Sequence, residues 1–141
     1  MNNTRAITSI TTEGALALIE AAIASGKRMN VAVSVAVCGP ELNLIAFARS
    51  DGATPHSAET SRRKAQTAAS TGKATGWMNA DLAIALPLGT GNLLTNIAGG
   101  LPIRIDDAHV GGLGVAGGTV EQDAAIATEA LKTLIDMDKK R

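Results

Sequence analysis

Residues 111–123 read GGLGVAGGTVEQD, with glycine at 111, 112, 114, 117 and 118. The run contains a literal G-x-G-x-x-G at Gly112, Gly114 and Gly117. That pattern serves a dinucleotide only when a strand precedes the glycines and a helix starts among them; a second strand must then end in a carboxylate about 20 residues on. Here the glycines lie within the apparent strand, and the helix starts only after Gly118. The expected role is steric. On a strand from His109 to Ala116, Gly112 and Gly114 share a face with Val110 and Ala116. Glycine on that face admits another backbone, or a ligand, at close range. Thr119-Val120-Glu121-Gln122 is a T-x-x-Q capping box. Glu121 and Asp123 already supply negative charge to the positive helix end, which disfavours a phosphate there.

The remaining chain alternates helices and strands. TTEGALALIEAAIASG predicts a helix capped by Thr11 or Thr12, with Leu16, Ile19 and Ile23 in one stripe beside Ala15, Leu18 and Ala22. VAVSVAV alternates with period two. Its valines share one face, and Ala32, Ser34 and Ala36 leave room on the other for a helix to lie close. Gly39-Pro40 turns the chain into NLIAFAR, the second strand of a hairpin. Thr54-Pro55 predicts a helix start running to about Ser70, with an almost purely alanine apolar face. TGWMNADLAIAL predicts a short helix and PLGTGN a loop. PIRID and the glycine strand form a pair joined at Asp106-Asp107-Ala108. A terminal helix follows, its buried side holding Ala124, Ile126, Ala130, Leu131, Leu134 and Ile135.

A length of 141 residues fits one domain, 1–141. With one Trp, one Phe and no Tyr, the core must be built from Ala, Val, Ile and Leu. Each such side chain contributes less than a large aromatic, and burial between subunits is one remedy, so a homo-oligomer is expected. Acidic and basic residues balance at 13 each, which leaves no basic field for nucleic acid. No run reaches the roughly 18 apolar residues that span a bilayer, and the N-terminus lacks the apolar core of a secretory signal. Cys38 is the sole cysteine, which fits a reducing cytoplasm.

VAVSVAVCGPELNLIAFARSDGA, RKAQTAASTGKAT, AGGLPI and GGLGVAGGTVEQD, in that order, resemble the GlcG/HbpS family, also known as DUF336. That family includes the C-terminal domain of PduO-type proteins. The resemblance spans about residues 10–136. It implies an α/β (α+β) profilin-like fold, an antiparallel sheet with helices packed around it, and homo-oligomers. It also implies haem as a possible ligand in one branch, often credited to a histidine near the first helix. This chain has no histidine before His56. It also departs at Cys38-Gly39-Pro40-Glu41-Leu42 and at Asp106-Asp107-Ala108-His109, where the family often reads D-A-G-G-N and V-D-G.

The candidate residues follow from charge and placement. Arg49, ending a strand, has the planar fork that grips a carboxylate, with Asp51 beside it. Lys64 borders the alanine face of its helix, where a lysine binds an anion or, desolvated, acts as a base. Asp123 and His109 complete a catalytic set with Lys64. Thr67, Gly117 and Gly118 join Arg49 and Asp51 as binding residues. Arg49 and Lys64 are expected to converge on one pocket and, as exposed charges, to be dispensable for folding. The expected function is a catabolic protein acting on a small anionic organic substrate by acid–base chemistry, with no redox cofactor and no metal site. The alternative is a non-catalytic haem-binding or corrinoid-related module.

Overall fold

Alternating valine and small residues in the first strand divide the molecule into two layers. The computed structural model describes residues 1–140. Its helices are α1 (Thr12–Arg28), α2 (Ser57–Thr71), α3 (Ala80–Gly89) and α4 (Val120–Lys139). Its strands are β1 (Ser34–Cys38), β2 (Leu44–Arg49), β3 (Gly100–Ile105) and β4 (Ala108–Ala116). The strands form one antiparallel sheet in the order β2-β1-β4-β3. Val33, Val35 and Val37 face α1 and α4 in the main apolar core, with Leu18, Ile19, Leu113, Val115 and Ile126. Ala36 and Cys38 face the other way, against Ala65 and Ala69 of α2.

The glycines of β4 explain why α2 can lie so near. A Cβ on Gly114 would stand 1.9 Å from the Ser61 carbonyl oxygen, and one on Gly112 would stand 2.1 Å from that of Ala65. The helix backbone occupies the space that side chains would fill. The opening glycine run is thus a helix seat, as its placement within a strand implies.

Several local expectations are corrected. Val110 does not share a face with Gly112 and Gly114: a register shift near Ile103/Arg104 turns it into the main core, beside Ile10 and Leu134. Helix α2 starts at Ser57, because Thr54 and Pro55 form a preceding turn whose carbonyls accept the Ser57 and Ala58 amides. The PLGTGN segment is not all loop, since α3 continues through Pro87 to Gly89. Leu16 leaves the α1 stripe for solvent. The α4 capping box forms as the sequence predicts, with Thr119 and Gln122 satisfying each other's backbone amides. Among the described residues, no helix is long and apolar enough to cross a membrane.

Candidate functional site

Helix α2 delivers Lys64 to the end of β4, where α4 begins. Its Nζ donates to the Val115 carbonyl at 2.8 Å and to Asp123 Oδ2 at 3.0 Å. Asp123 Oδ1 accepts the Gly118 amide at 2.8 Å. One carboxylate therefore ties together α2, the turn after β4 and the first turn of α4. Lys64 is not at a helix border as expected: it is 1% exposed, and Asp123 2%. Burial pushes the Lys64 ammonium below its ordinary value, while Asp123 acts against that shift. Gly99 closes the site from the far side. A Cβ there would lie 2.8 Å from Lys64 Nζ and 2.5 Å from the Val115 oxygen, and its φ of +125° disfavours any side chain.

The other candidates are spread over the molecule. Thr67 is buried; its hydroxyl donates to the Arg63 carbonyl and accepts the Thr95 amide at 2.8 Å. His109 Nε2 lies 2.7 Å from the Ala69 carbonyl oxygen, so it donates there. Its Nδ1 is the one buried side-chain polar atom without a partner among the described residues. Arg104, opposite His109 in the sheet, donates to the Gly72 carbonyl, so both residues close the C-terminal end of α2. Gly117, at φ +131°, packs against the Ala32 carbonyl.

Arg49 and Lys64 do not converge. Strand β2 is one edge of the sheet and β3, whose first residue Gly100 packs on the Lys64 backbone, is the other, with two strands between them. The Arg49 guanidinium instead donates through Nε and Nη2 to the Ala53 carbonyl, at 3.2 and 3.0 Å. Lys64 is buried and ion-paired, so it is not the exposed charge on which its expected dispensability for folding rests.

Among the described residues, two clefts stand out on the surface. One, of about 500 Å³, is lined by Ile23, Lys27, Asn30, Val31, Ala32, Arg49, Ser50 and Asp51. Neither Lys27 nor Arg49 has a carboxylate within ion-pairing distance among the described residues. Lys27 was not among the sequence candidates, because a lysine at a helix end is already accounted for by the helix dipole. The other cleft, of about 420 Å³, has an apolar floor of Ile10, Val110 and Leu134, and Glu13, Asp106, Met137 and Asp138 at its walls. Lys64, Thr67, His109 and Asp123 line neither cleft.

The family described as haem degrading protein HbpS-like matches residues 10–132. This chain belongs to the HbpS-like family. It is 33% identical over 140 residues to an uncharacterized 15.0 kDa protein from the dhaT-dhaS intergenic region of Citrobacter freundii, covering 93% of this chain and 96% of that one. Klebsiella pneumoniae ORFY, a DUF336 protein, superposes with a TM-score of 0.86 at 29% identity, over 95% and 96% of the two chains. A double mutant of Streptomyces reticuli HbpS gives 0.84 at 32% identity, over 95% and 92%. A complex of PduOC with heme gives 0.81 at 26% identity, over 89% and 94%. The four helices and four-stranded antiparallel sheet of this chain are therefore those of HbpS-like proteins.

Proposed function

We propose that this chain is a binding protein for a small anionic organic molecule, held in the cleft that Lys27 and Arg49 line. The observation that carries the proposal is that two cations without carboxylate partners border one open cleft. Arg49 is held by Ala53, with Nη1 left for a ligand carboxylate. Asn30 and Ser50 add neutral polar groups at the same rim. The geometry lends no support to acid–base catalysis by Lys64, Asp123 and His109. Their reactive atoms are buried or committed to protein partners, away from both clefts.

Calorimetry with small dicarboxylates such as succinate tests the proposal. Lys27→Ala and Arg49→Ala should each weaken binding about 10–100-fold, the loss expected of a charge-assisted hydrogen bond. Both side chains are exposed, so melting should change little. Unchanged affinity in both variants places the ligand elsewhere.

Haem is the second reading, and the family and the PduOC complex favour it. The residues here fit it poorly. The apolar cleft offers the Met137 thioether but surrounds it with carboxylates that oppose propionates. The cationic cleft offers no histidine, cysteine or methionine to the iron, and His56 and His109 line neither. Titration with haemin decides between the readings. A saturable Soret shift that Lys27→Ala and Arg49→Ala both weaken would make haem the anionic ligand, and no shift would remove it.

A further inference from the structure

The second cleft has the opposite chemistry to the one that Lys27 and Arg49 line. Its floor is Ile10, Val110 and Leu134, and its rim carries Glu13, Asp106 and Asp138. No lysine, arginine or histidine lines it. At about 420 Å³ it has the size of a small-molecule site. Gly14, Ala17 and Ala108 also line it, and residues this small leave the space open.

Three separate elements build it. Glu13 belongs to the first turn of α1, Asp106 to the turn between β3 and β4, and Asp138 to the last turn of α4. The segment that leads into α1 is fixed in place: the Ile10 amide donates to the Val110 carbonyl at 2.9 Å, and Thr11 accepts the Gly14 amide at 3.0 Å. Asp106 and Asp138 have no cation within ion-pairing distance among the described residues. The negative end of α4 adds to their field, and Glu13 offsets the positive end of α1.

We propose that this cleft binds a small organic cation with an apolar body, of the alkylammonium or arylalkylammonium class. Charge complementarity selects that occupant. An anion would meet the two unpaired aspartates and no cation. A metal ion needs several oxygens converging on one point, and no group of three His, Cys, Asp or Glu among the described residues is placed to hold one. An ammonium ion asks less of the protein. It can sit between well-separated carboxylates at the rim while its hydrocarbon leaves water for Ile10, Val110 and Leu134. The proposal is independent of the ligand of the cationic cleft.

Calorimetry of the full chain with 2-phenylethylammonium, 2-phenylethanol and 3-phenylpropionate tests it. The ammonium should bind best, the alcohol about 5–20-fold more weakly and the carboxylate more weakly still. Asp106→Asn/Asp138→Asn should cost the ammonium about as much and leave the alcohol unchanged. Asparagine tolerates the φ of +51° at position 106, so this variant should melt like the wild type. Should it melt lower, Asp138→Asn alone decides, with an expected loss of about 2–5-fold. Lys27→Ala and Arg49→Ala should leave ammonium binding unchanged, which keeps a failure here apart from a failure at the other cleft. Equal affinity for the three compounds, no ammonium binding at millimolar concentration, or aspartate variants that bind it like the wild type would each overturn the proposal. Calcium binding that the aspartate variants abolish would overturn it too, by giving the carboxylates to a metal.

Discussion

Lys64 and Asp123 pair at 3.0 Å with neither side chain more than 3% exposed. The pair joins the two helical layers at the end of the central strand β4. Removing one partner leaves the other charge buried and uncompensated, a loss of about 3–5 kcal/mol in such settings. Lys64→Met should therefore lower the free energy of unfolding in urea by about that amount. Lys64→Met/Asp123→Leu should recover part of it, the remainder reflecting the Gly118 amide, which loses its acceptor. A single variant as stable as wild type, or a double variant no better than the single, would refute this account of the pair.

Gly114 and Gly89 make opposite predictions for the same substitution. At Gly114 a methyl group would meet the Ser61 carbonyl and the Ala65 amide nitrogen, both backbone of α2, so the helix must move. Gly114→Ala should cost about 1–3 kcal/mol or more. At Gly89 nothing lies within 4 Å, and the residue is helical. Gly89→Ala should be neutral or stabilising by up to about 1 kcal/mol. Thermal melting of the two variants checks both, and equal shifts in the same direction would contradict the helix-seat account.

The layers were legible because their cause is local. Valine alternating with alanine and serine marks one strand with two unlike faces, and a capping box is spelled in four consecutive residues. Lys64 was not legible, because neighbours on its own helix place it at the edge of the alanine face. Gly99, Gly100 and Asp123 bury it, all distant in sequence, and the absence of side chains at the two glycines lets the chain close over its ammonium. Val110 was misplaced for a related reason: one irregularity in the β3–β4 register reverses the alternation. Leu88 falls in the PLGTGN segment expected as a loop, yet it lies in α3 beyond Pro87. Proline near a helix end forfeits little, since the final turn continues through the Thr90 amide to the Leu86 carbonyl.

Acid should act on the contact between α1 and α4. Glu129 accepts from the Ser25 hydroxyl at 2.9 Å and pairs with Arg28. The Ser25 hydrogen bond first, then Arg28, holds its carboxyl below the ordinary 4.5. As pH falls, the unfolded chain takes up this proton before the folded one does. The contribution is present above 4.5 and fades as pH falls through the folded value. Glu129→Gln should therefore melt lower than wild type near neutrality, with the gap closing as pH falls below 4.5 through the lower folded value. A gap that stays constant would exclude Glu129 as a source of acid sensitivity.

Cys38 offers a reporter for these stability changes. Its side chain lies between β1 and α2 against Ala65 and Ala69, and burial pushes the thiol up to about 11. At neutral pH both access and protonation oppose alkylation, since the thiolate is the nucleophile. Labelling of the native chain should therefore proceed through opening of the α2 layer, and in denaturant it should be complete at once. Where opening is fast and reversible, the rate follows the population of the open form, about tenfold for each 1.4 kcal/mol lost. Gly114→Ala, which dislodges α2 itself, and Lys64→Met, which frees its anchor, should both accelerate labelling in proportion to their measured destabilisation. Glu129→Gln lies in the opposite layer and should accelerate it only as far as it lowers global stability. Rapid labelling of the wild type in native buffer would show that α2 does not seal this face of the sheet. Equal rates in all variants would show that the thiol reacts by a route that does not involve the helix.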